Sequence, residues 1–482
     1  MKKVIGLLLT VCIISINFAQ AEIGDKINVL DQSNNKIINS LQTHGEDFDF
    51  LVISPEEWKT NFDIFKQHKD NKGIKTIVVS LEEIYGNLYF TVNGRDNQER
   101  IKYFIKNAKE NWNVQYVMLV GSKEKFPVRY LPYEISSNFF TKSNNFILYN
   151  QEFISDLYYA DLYDENGSFC SWDSNENDVF GESYNNQNID QVDFYPDVYI
   201  GRIPCVNLEE LETVINKIIE YEDNVYGQPW LNNIILCGGD THPGIYEENI
   251  WLLILLSKGL IYRRAFEGEY TCDKVSELLR DYNSLKCYAS GFMKPKIKSL
   301  TVENINNAIN TGGSFFLYVG HGFGNTFGTH PPFCTRIWLP FPNMYTNVDV
   351  NDLTNELRLP IAIFSACHCS NFDVISNPIA WKFITHESGG AIASIACTTV
   401  SFSSMSTYTI ESYNGYLTMG IFRAYNNGID VLGKIWANSI ISYLEDDNVW
   451  SDIFPNPLSI HYLTLEEWIL FGDPTLKIGG YN

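Results

Sequence analysis

Positive charge is scarce in this chain. Against 58 acidic residues it carries 35 lysines and arginines, for a formal net charge of −23. So acidic a surface argues against nucleic acid and anionic membranes as partners. It tolerates cationic substrates and Ca²⁺. Long apolar runs are missing beyond the first residues, so nothing downstream is suited to span a bilayer. No short-period repeat is present, which leaves a non-repetitive architecture. Low hydrophobicity is absent too: 45% hydrophobic and 14% aromatic residues exclude a disordered chain.

What is present begins with Met1-Lys2-Lys3, an apolar run from Val4 to Phe18, and Ala19-Gln20-Ala21. This reads as a secretory signal peptide over residues 1–21. The run is short for a membrane anchor. The rest is expected to be secreted, with no membrane association after cleavage. Of ten cysteines, Cys12 leaves with the signal. The odd number remaining implies at least one free thiol, and the sequence fixes no pairings.

Residues 22–47 read as a polar leader or short pro-segment. A βαβαβ rhythm follows in strands at Phe48–Ile53, Lys75–Val79 and Gln115–Gly121, with a helix over Asn97–Trp112. Ser54, Pro55 and the acids after them read as a helix start. A long aromatic, Asp- and Asn-rich loop spans residues 127–193. Strand Asp197–Ile203 and a helix capped by Asn207 complete a first half, residues 48–228. The second half, 229–478, repeats the pattern. It has strands at Asn233–Cys237, Ser314–Val319, Leu359–Phe364 and Ala391–Ile395. Its helices are expected at Tyr246–Lys258, Val302–Thr311, Pro378–His386 and Glu411–Leu444, the last broken near Gly428; Leu260–Tyr262 is a further short strand. The expected fold class is α/β: two fused doubly wound subdomains with mostly parallel sheets covered by helices.

Two apolar runs of the second half end in chemically loaded residues. Ser314-Phe-Phe-Leu-Tyr-Val319 leads into Gly320-His321-Gly322, and Leu359-Pro-Ile-Ala-Ile-Phe364 into Ser365-Ala366-Cys367-His368-Cys369. Short apolar runs bounded by turn residues read as buried parallel strands. Reactive groups of such sheets sit beyond the carboxyl ends of the strands. If the two strands are neighbours, His321 and Cys367 share a crevice, where an imidazole assists a thiol nucleophile. The N–H groups of Gly322 and Cys367 are candidates for an oxyanion hole. Asp240 also ends a strand, and reads either as the third member of a triad or as a turn residue.

Two metal readings stand beside this. His321, His330, Cys334, Cys367, His368 and Cys369 include soft ligands, but consecutive Cys-His-Cys side chains diverge and suit one Zn²⁺ poorly. Asp173, Asn175 and Asn177 alternate as in oxygen-ligand loops, with the backbone of Val179 nearby. They are a candidate structural Ca²⁺ site or a solvated acidic loop. No Glu stands at the twelfth position, so the loop is not an EF-hand.

At these residues the sequence resembles the gingipain-type cysteine peptidases, peptidase family C25 of clan CD. Gly312–Gly322 is similar to the segment carrying that family's catalytic His, and Ile361–Cys367 with Asn371-Phe372 to the one carrying its nucleophile. Tyr116–Gly121, Tyr199-Ile-Gly-Arg202 and Phe471-Gly-Asp-Pro-Thr-Leu476 match in the same order. The resemblance implies a caspase-like fold and an endopeptidase acting on proteins or peptides through His321 and Cys367, with Cys369 as the fallback nucleophile. It places Asp240 as the acidic partner and implies no catalytic cofactor, with Ca²⁺ as a structural ion. The pocket acid of arginine-specific members falls at Gly244, with Glu247 and Glu248 close by. A non-catalytic extracellular binding protein on the same scaffold, gripping a partner with loop 127–193, is the alternative.

Overall fold

The structure is a computed structural model. It describes residues 47–136, 147–184, 187–243, 265–342, 344–450 and 458–482. The expected signal and nearly all of the leader, the helix at Tyr246–Lys258, the strand at Leu260–Tyr262, and Gly244, Glu247 and Glu248 lie outside these residues.

In chain order the first half contributes β1 (Phe50–Ser54), β2 (Thr76–Ser80), β3 (Tyr116–Val120), β4 (Tyr130–Ser136), β5 (Ile147–Ile154), β6 (Ser183–Tyr184), β7 (Gln187–Asn188) and β8 (Tyr199–Ile203). The second contributes β9 (Asn233–Gly238), β10 (Asn283–Tyr288), β11 (Lys298–Ser299), β12 (Phe315–Val319), β13 (His321–Gly322), β14 (Thr326–Gly328) and β15 (Tyr345–Thr346). It closes with β16 (Ile361–Ser365), β17 (Ala393–Cys397) and β18 (Trp468–Phe471).

Eleven strands form one sheet, ordered β11-β10-β9-β12-β16-β17-β18-β8-β3-β1-β2. All neighbours in it are parallel except β17 and β18. The two halves are therefore two parallel blocks of opposite direction, fused edge to edge through β18. The central strands are buried along their whole length, as the continuous apolar runs anticipate.

Helices Asn97–Trp112 and Val302–Thr311 form over the expected residues. Asn207 caps Leu208–Asn224, its side-chain oxygen accepting the Glu210 N–H at 2.9 Å. The helix at residues 411–444 is two, Tyr413–Asn426 and Leu432–Leu444, parted at Gly428. Other expectations need correction. Ser54 does not cap: its hydroxyl donates to the Pro55 carbonyl, and the element after it is a 3₁₀ helix, Glu56–Phe62. The last parallel strand starts at Ala393 rather than Ala391. Segment 127–193 is no plain loop, since it holds hairpin β4–β5, the turn of helix Leu157–Ala160 and hairpin β6–β7. Helix Glu267–Leu278 and β10 have weak periodicity and escape a reading by pattern.

The quoted family-like motifs meet at the seam between the blocks. A Cβ at Gly201 would lie 2.5 Å from the Gly472 carbonyl, and Gly472 donates its N–H to the Arg202 carbonyl at 2.8 Å. Buried Arg202 forks onto Asp156 at 2.7 and 2.6 Å. Asp473 reaches buried Lys69 at 2.5 Å, and Lys69 also pairs with Glu222 at 2.8 Å. Lys217 of the first half donates to the Ile384, His386 and Gly389 carbonyls at the end of helix Ile379–Thr385. At Lys69 and Lys217 a cationic group of the first half is thus met by groups of the second.

Candidate active site

β12 and β16 are neighbouring parallel strands, with Val319 paired to Ser365. His321 and Cys367 each stand two residues further on, so they leave the sheet from matched positions at its carboxyl edge. Apolar side chains at both strands, buried from Phe315 to Tyr318 and from Ile361 to Phe364, fix this register. A one-residue slip would turn each buried set to the other face.

The ring of His321 is held at Nε2, 2.9 Å from the Thr241 carbonyl. A carbonyl oxygen only accepts, so Nε2 carries the proton and Nδ1 presents its lone pair. Trp338, His330 and His242 surround the ring at centroid distances of 5.4, 5.7 and 6.2 Å. Burial pushes the His321 pKa down to about 4, helped by His242 and His330 and opposed by the bond to Thr241. The imidazole is neutral at neutral pH.

The Cys367 thiol is partly exposed. The Ser401 N–H donates to Sγ at 3.3 Å and the Ser401 hydroxyl lies at 3.5 Å. His368 then adopts φ +58°, in the left-handed region, which reverses the chain and sends Cys369 inward. Cys369 is fully buried against the position a Gly322 side chain would take, and burial pushes its thiol well up. The fallback nucleophile is therefore the inert member of the pair. The nine described cysteines are all free thiols.

Asp240 is buried, but the oxygen at the His321 ring is the Thr241 carbonyl, one residue further along. The Asp240 Oδ2 accepts the Phe333 N–H at 3.0 Å, and the Asp240 N–H donates to His330 O. Its expected role as the ring's partner passes to that carbonyl. A strand-end Asp is visible in sequence, whereas a backbone oxygen has no residue signature. Ser401 was missed for a related reason: it lies beyond the end of β17, and only the strand order brings it to Cys367. His242 gave no signal beyond its proximity to Asp240.

The soft-metal set does not assemble. The His321 Nε2 and His330 Nδ1 atoms are committed to carbonyls, and no three His, Cys, Asp or Glu side chains among the described residues are grouped to hold a metal. The expected Ca²⁺ loop is also occupied by other contacts. Asp173 receives Arg95 at 2.5 Å and the N–H groups of Asn177 and Asp178. The Asn175 oxygen accepts the Asn177 N–H, and the Asn177 oxygen accepts the Val179 N–H. With a guanidinium already facing the Asp173 carboxylate and the Asn175 and Asn177 oxygens turned onto backbone N–H groups, these side chains do not fit Ca²⁺ in this arrangement, and the Val179 carbonyl alone would not hold it.

Comparison with known proteins agrees with this picture. The chain matches the model of peptidase family C25 over residues 43–479. Gingipain R2 of Porphyromonas gingivalis is 24% identical over 331 residues, covering 67% of this chain and 32% of that protein. Gingipain R1 of the same species is 24% identical over 329 residues, covering 67% of this chain and 24% of the relative. The chain thus spans about a third or less of the curated relatives it matches. A crystal structure of the Arg-specific cysteine proteinase gingipain R superposes with a TM-score of 0.57 at 20% identity, covering 91% of this chain and 79% of the other. That likeness shows a shared caspase-like α/β fold. By the family match across most of its length, the chain belongs to peptidase family C25.

Proposed function

We propose that the protein is a secreted cysteine endopeptidase that hydrolyses peptide bonds through a Cys367–His321 dyad. The single observation that carries this is the matched exit of the two residues from neighbouring parallel strands, thiol half-exposed and imidazole neutral. The Cys367 proton passes to His321 Nδ1. Sulfur attacks the scissile carbonyl carbon, an S–C bond forms, and the oxyanion faces the N–H groups of Gly322 and Cys367. The imidazolium gives its proton to the leaving nitrogen as the C–N bond breaks. Water then attacks the acyl-enzyme, its proton taken by Nδ1, and the acid product leaves as the thiol re-forms. Thr241 holds the ring in the required tautomer throughout.

Secretion rests on the N-terminal signal at residues 1–21. No helix among the described residues is long and apolar enough to cross a membrane. Substrates are proteins or peptides, and the chemistry needs no cofactor.

The test is turnover of a denatured protein by purified wild type, C367A and H321A, with iodoacetamide labelling of Cys367 in parallel. Loss of cleavage in both folded variants, and slower labelling in H321A, is the expected result. Cleavage by C367A at the wild-type rate would remove the dyad. Labelling of Cys367 that ignores His321, in a wild type that cleaves nothing, would favour a binding protein on this scaffold.

A further inference from the structure

Hairpin β4–β5 belongs to the first half by sequence, yet it is fastened to both loops that flank the Cys367 thiol. Tyr130 donates its hydroxyl to Asp373 at 2.7 Å, in the loop that follows Cys367. Thr398, on the loop that carries Ser401, donates its hydroxyl to the Ile154 carbonyl at 2.8 Å. His368 donates its N–H to the Thr399 carbonyl, tying the two loops to each other. Between hairpin and loops lies an open pocket of about 520 Å³ whose lining includes His368, the residue next to Cys367.

Apart from Glu152 at the rim, the polar groups of this pocket are engaged. Asp373 accepts from Lys123 at 2.6 Å as well as from Tyr130, so its charge is matched. The Asn371 oxygen accepts the Val374 N–H. Burial lowers the His368 pKa, so the ring is neutral at neutral pH. Glu152 is exposed at the rim. The rest of the lining is apolar: buried Phe153, Ile154 and Phe372 form the wall, and the more exposed Phe323, Val374 and Ile375 stand with it. Two of these are unusually exposed for their type, Val374 at 77% and Phe323 at 46%. Exposed apolar surface at the mouth of a cavity beside a reactive thiol marks a binding site rather than a packing defect.

We infer that this pocket is a substrate subsite. It receives a bulky apolar side chain of the polypeptide a few residues from the scissile bond, and the first-half hairpin builds one of its walls. The inference rests on the peptidase reading above and deepens it. Within the cavity a charged side chain would lose its hydration, the Glu152 carboxylate standing only at the rim, whereas an aliphatic or aromatic one buries apolar area on both partners. The volume accommodates an aromatic ring with adjoining main chain. The first half then sets selectivity, not only stability.

Mass-spectrometric profiling of cut sites in a denatured protein mixture tests this. Wild type is compared with Val374→Asp, whose exposed position leaves the fold intact, and with Phe153→Ala, which enlarges the wall. The expected wild-type profile has one position near the cut enriched in Phe, Leu, Ile, Met and Tyr. Val374→Asp lowers that enrichment roughly tenfold, as a pocket that loses apolar contact discriminates less. Preferences at other positions and the rate of Cys367 alkylation stay unchanged. Phe153→Ala shifts the preference toward the larger aromatic residues. Cuts with no apolar preference near the scissile bond, or a preference that survives Val374→Asp unchanged, would overturn the subsite while leaving the peptidase standing. A folded wild type that labels at Cys367 but cuts nothing would sink the peptidase reading and the subsite with it.

Discussion

Gly322 lies against the carbonyl of Cys367, so close that a Cβ at position 322 would overlap that oxygen and press on the Cys369 sulfur. The two strand-end loops that bear His321 and Cys367 touch through backbone, with no room for a side chain between them. Replacing Gly322 with Ala is therefore expected to push the Cys367 loop away from His321. A displacement of this kind costs on the order of a hundredfold in kcat/KM. The β12–β16 core is untouched, so far-UV circular dichroism should match wild type. Full activity in G322A would show that the contact does not position the thiol.

In the proposed mechanism the neutral, partly buried His321 sets the acid limb of the reaction. Its folded pKa is about 4 against 6.5 for a free ring. As pH falls through the folded value, Nδ1 gains a proton and can no longer accept one from Cys367. The acid limb of kcat/KM should centre near pH 4, well below the ordinary histidine range. A limb at 6.5 or above would mean that the ring is hydrated or paired in the working enzyme.

Glu467 is fully buried, and among the described residues neither of its carboxylate oxygens meets a nitrogen or oxygen donor, the Cys397 thiol being the polar group beside it. Burial raises its pKa well above 4.5. A carboxyl with a raised folded pKa contributes stability below the unfolded value, and loses it as pH rises towards the folded one. Glu467→Gln removes that penalty. The variant should match wild type near pH 4.5 and gain on it as pH increases, by up to about 1.4 kcal/mol per pH unit. Urea denaturation at pH 5 and pH 8 reads the difference; a gap that does not widen would show that Glu467 ionises freely.

Lys69 is the only cation placed between buried Glu222 and Asp473 among their described ion pairs, apart from His68 on Glu222. Lys69→Met leaves two carboxylates facing each other without it. Breaking a buried pair from one side costs about 3–5 kcal/mol. The midpoint of chemical denaturation should fall accordingly, and both halves should unfold together, since Lys69 and Glu222 belong to the first half and Asp473 to the second. A change below about 1 kcal/mol would place water in this cluster.

Because Arg95 already faces Asp173, chelation should leave the molecule unmoved. Treatment with EGTA is expected to change neither Tm nor cleavage rate. A Tm that drops on chelation and recovers with Ca²⁺ would restore Asp173, Asn175, Asn177 and Val179 as ligands in a rearranged loop.

Much of the fold was legible because its signals are local. Ser314–Val319 and Leu359–Phe364 declare buried strands by apolar continuity, and Asn207 declares a helix start by its side-chain chemistry. The same locality made His321 and Cys367 visible, since each follows directly on its strand. The tertiary structure decided what depends on residues far apart in the chain. The oxygen that holds His321 belongs to Thr241, 80 residues earlier, and is a backbone atom that any residue carries. Cys367 and Cys369 differ in sequence by nothing but position; a left-handed His368 sends one to the cleft and the other into the core. The hairpin beside the thiol and the single sheet through β18 arise from contacts between the halves, and periodicity within either half carries no record of them.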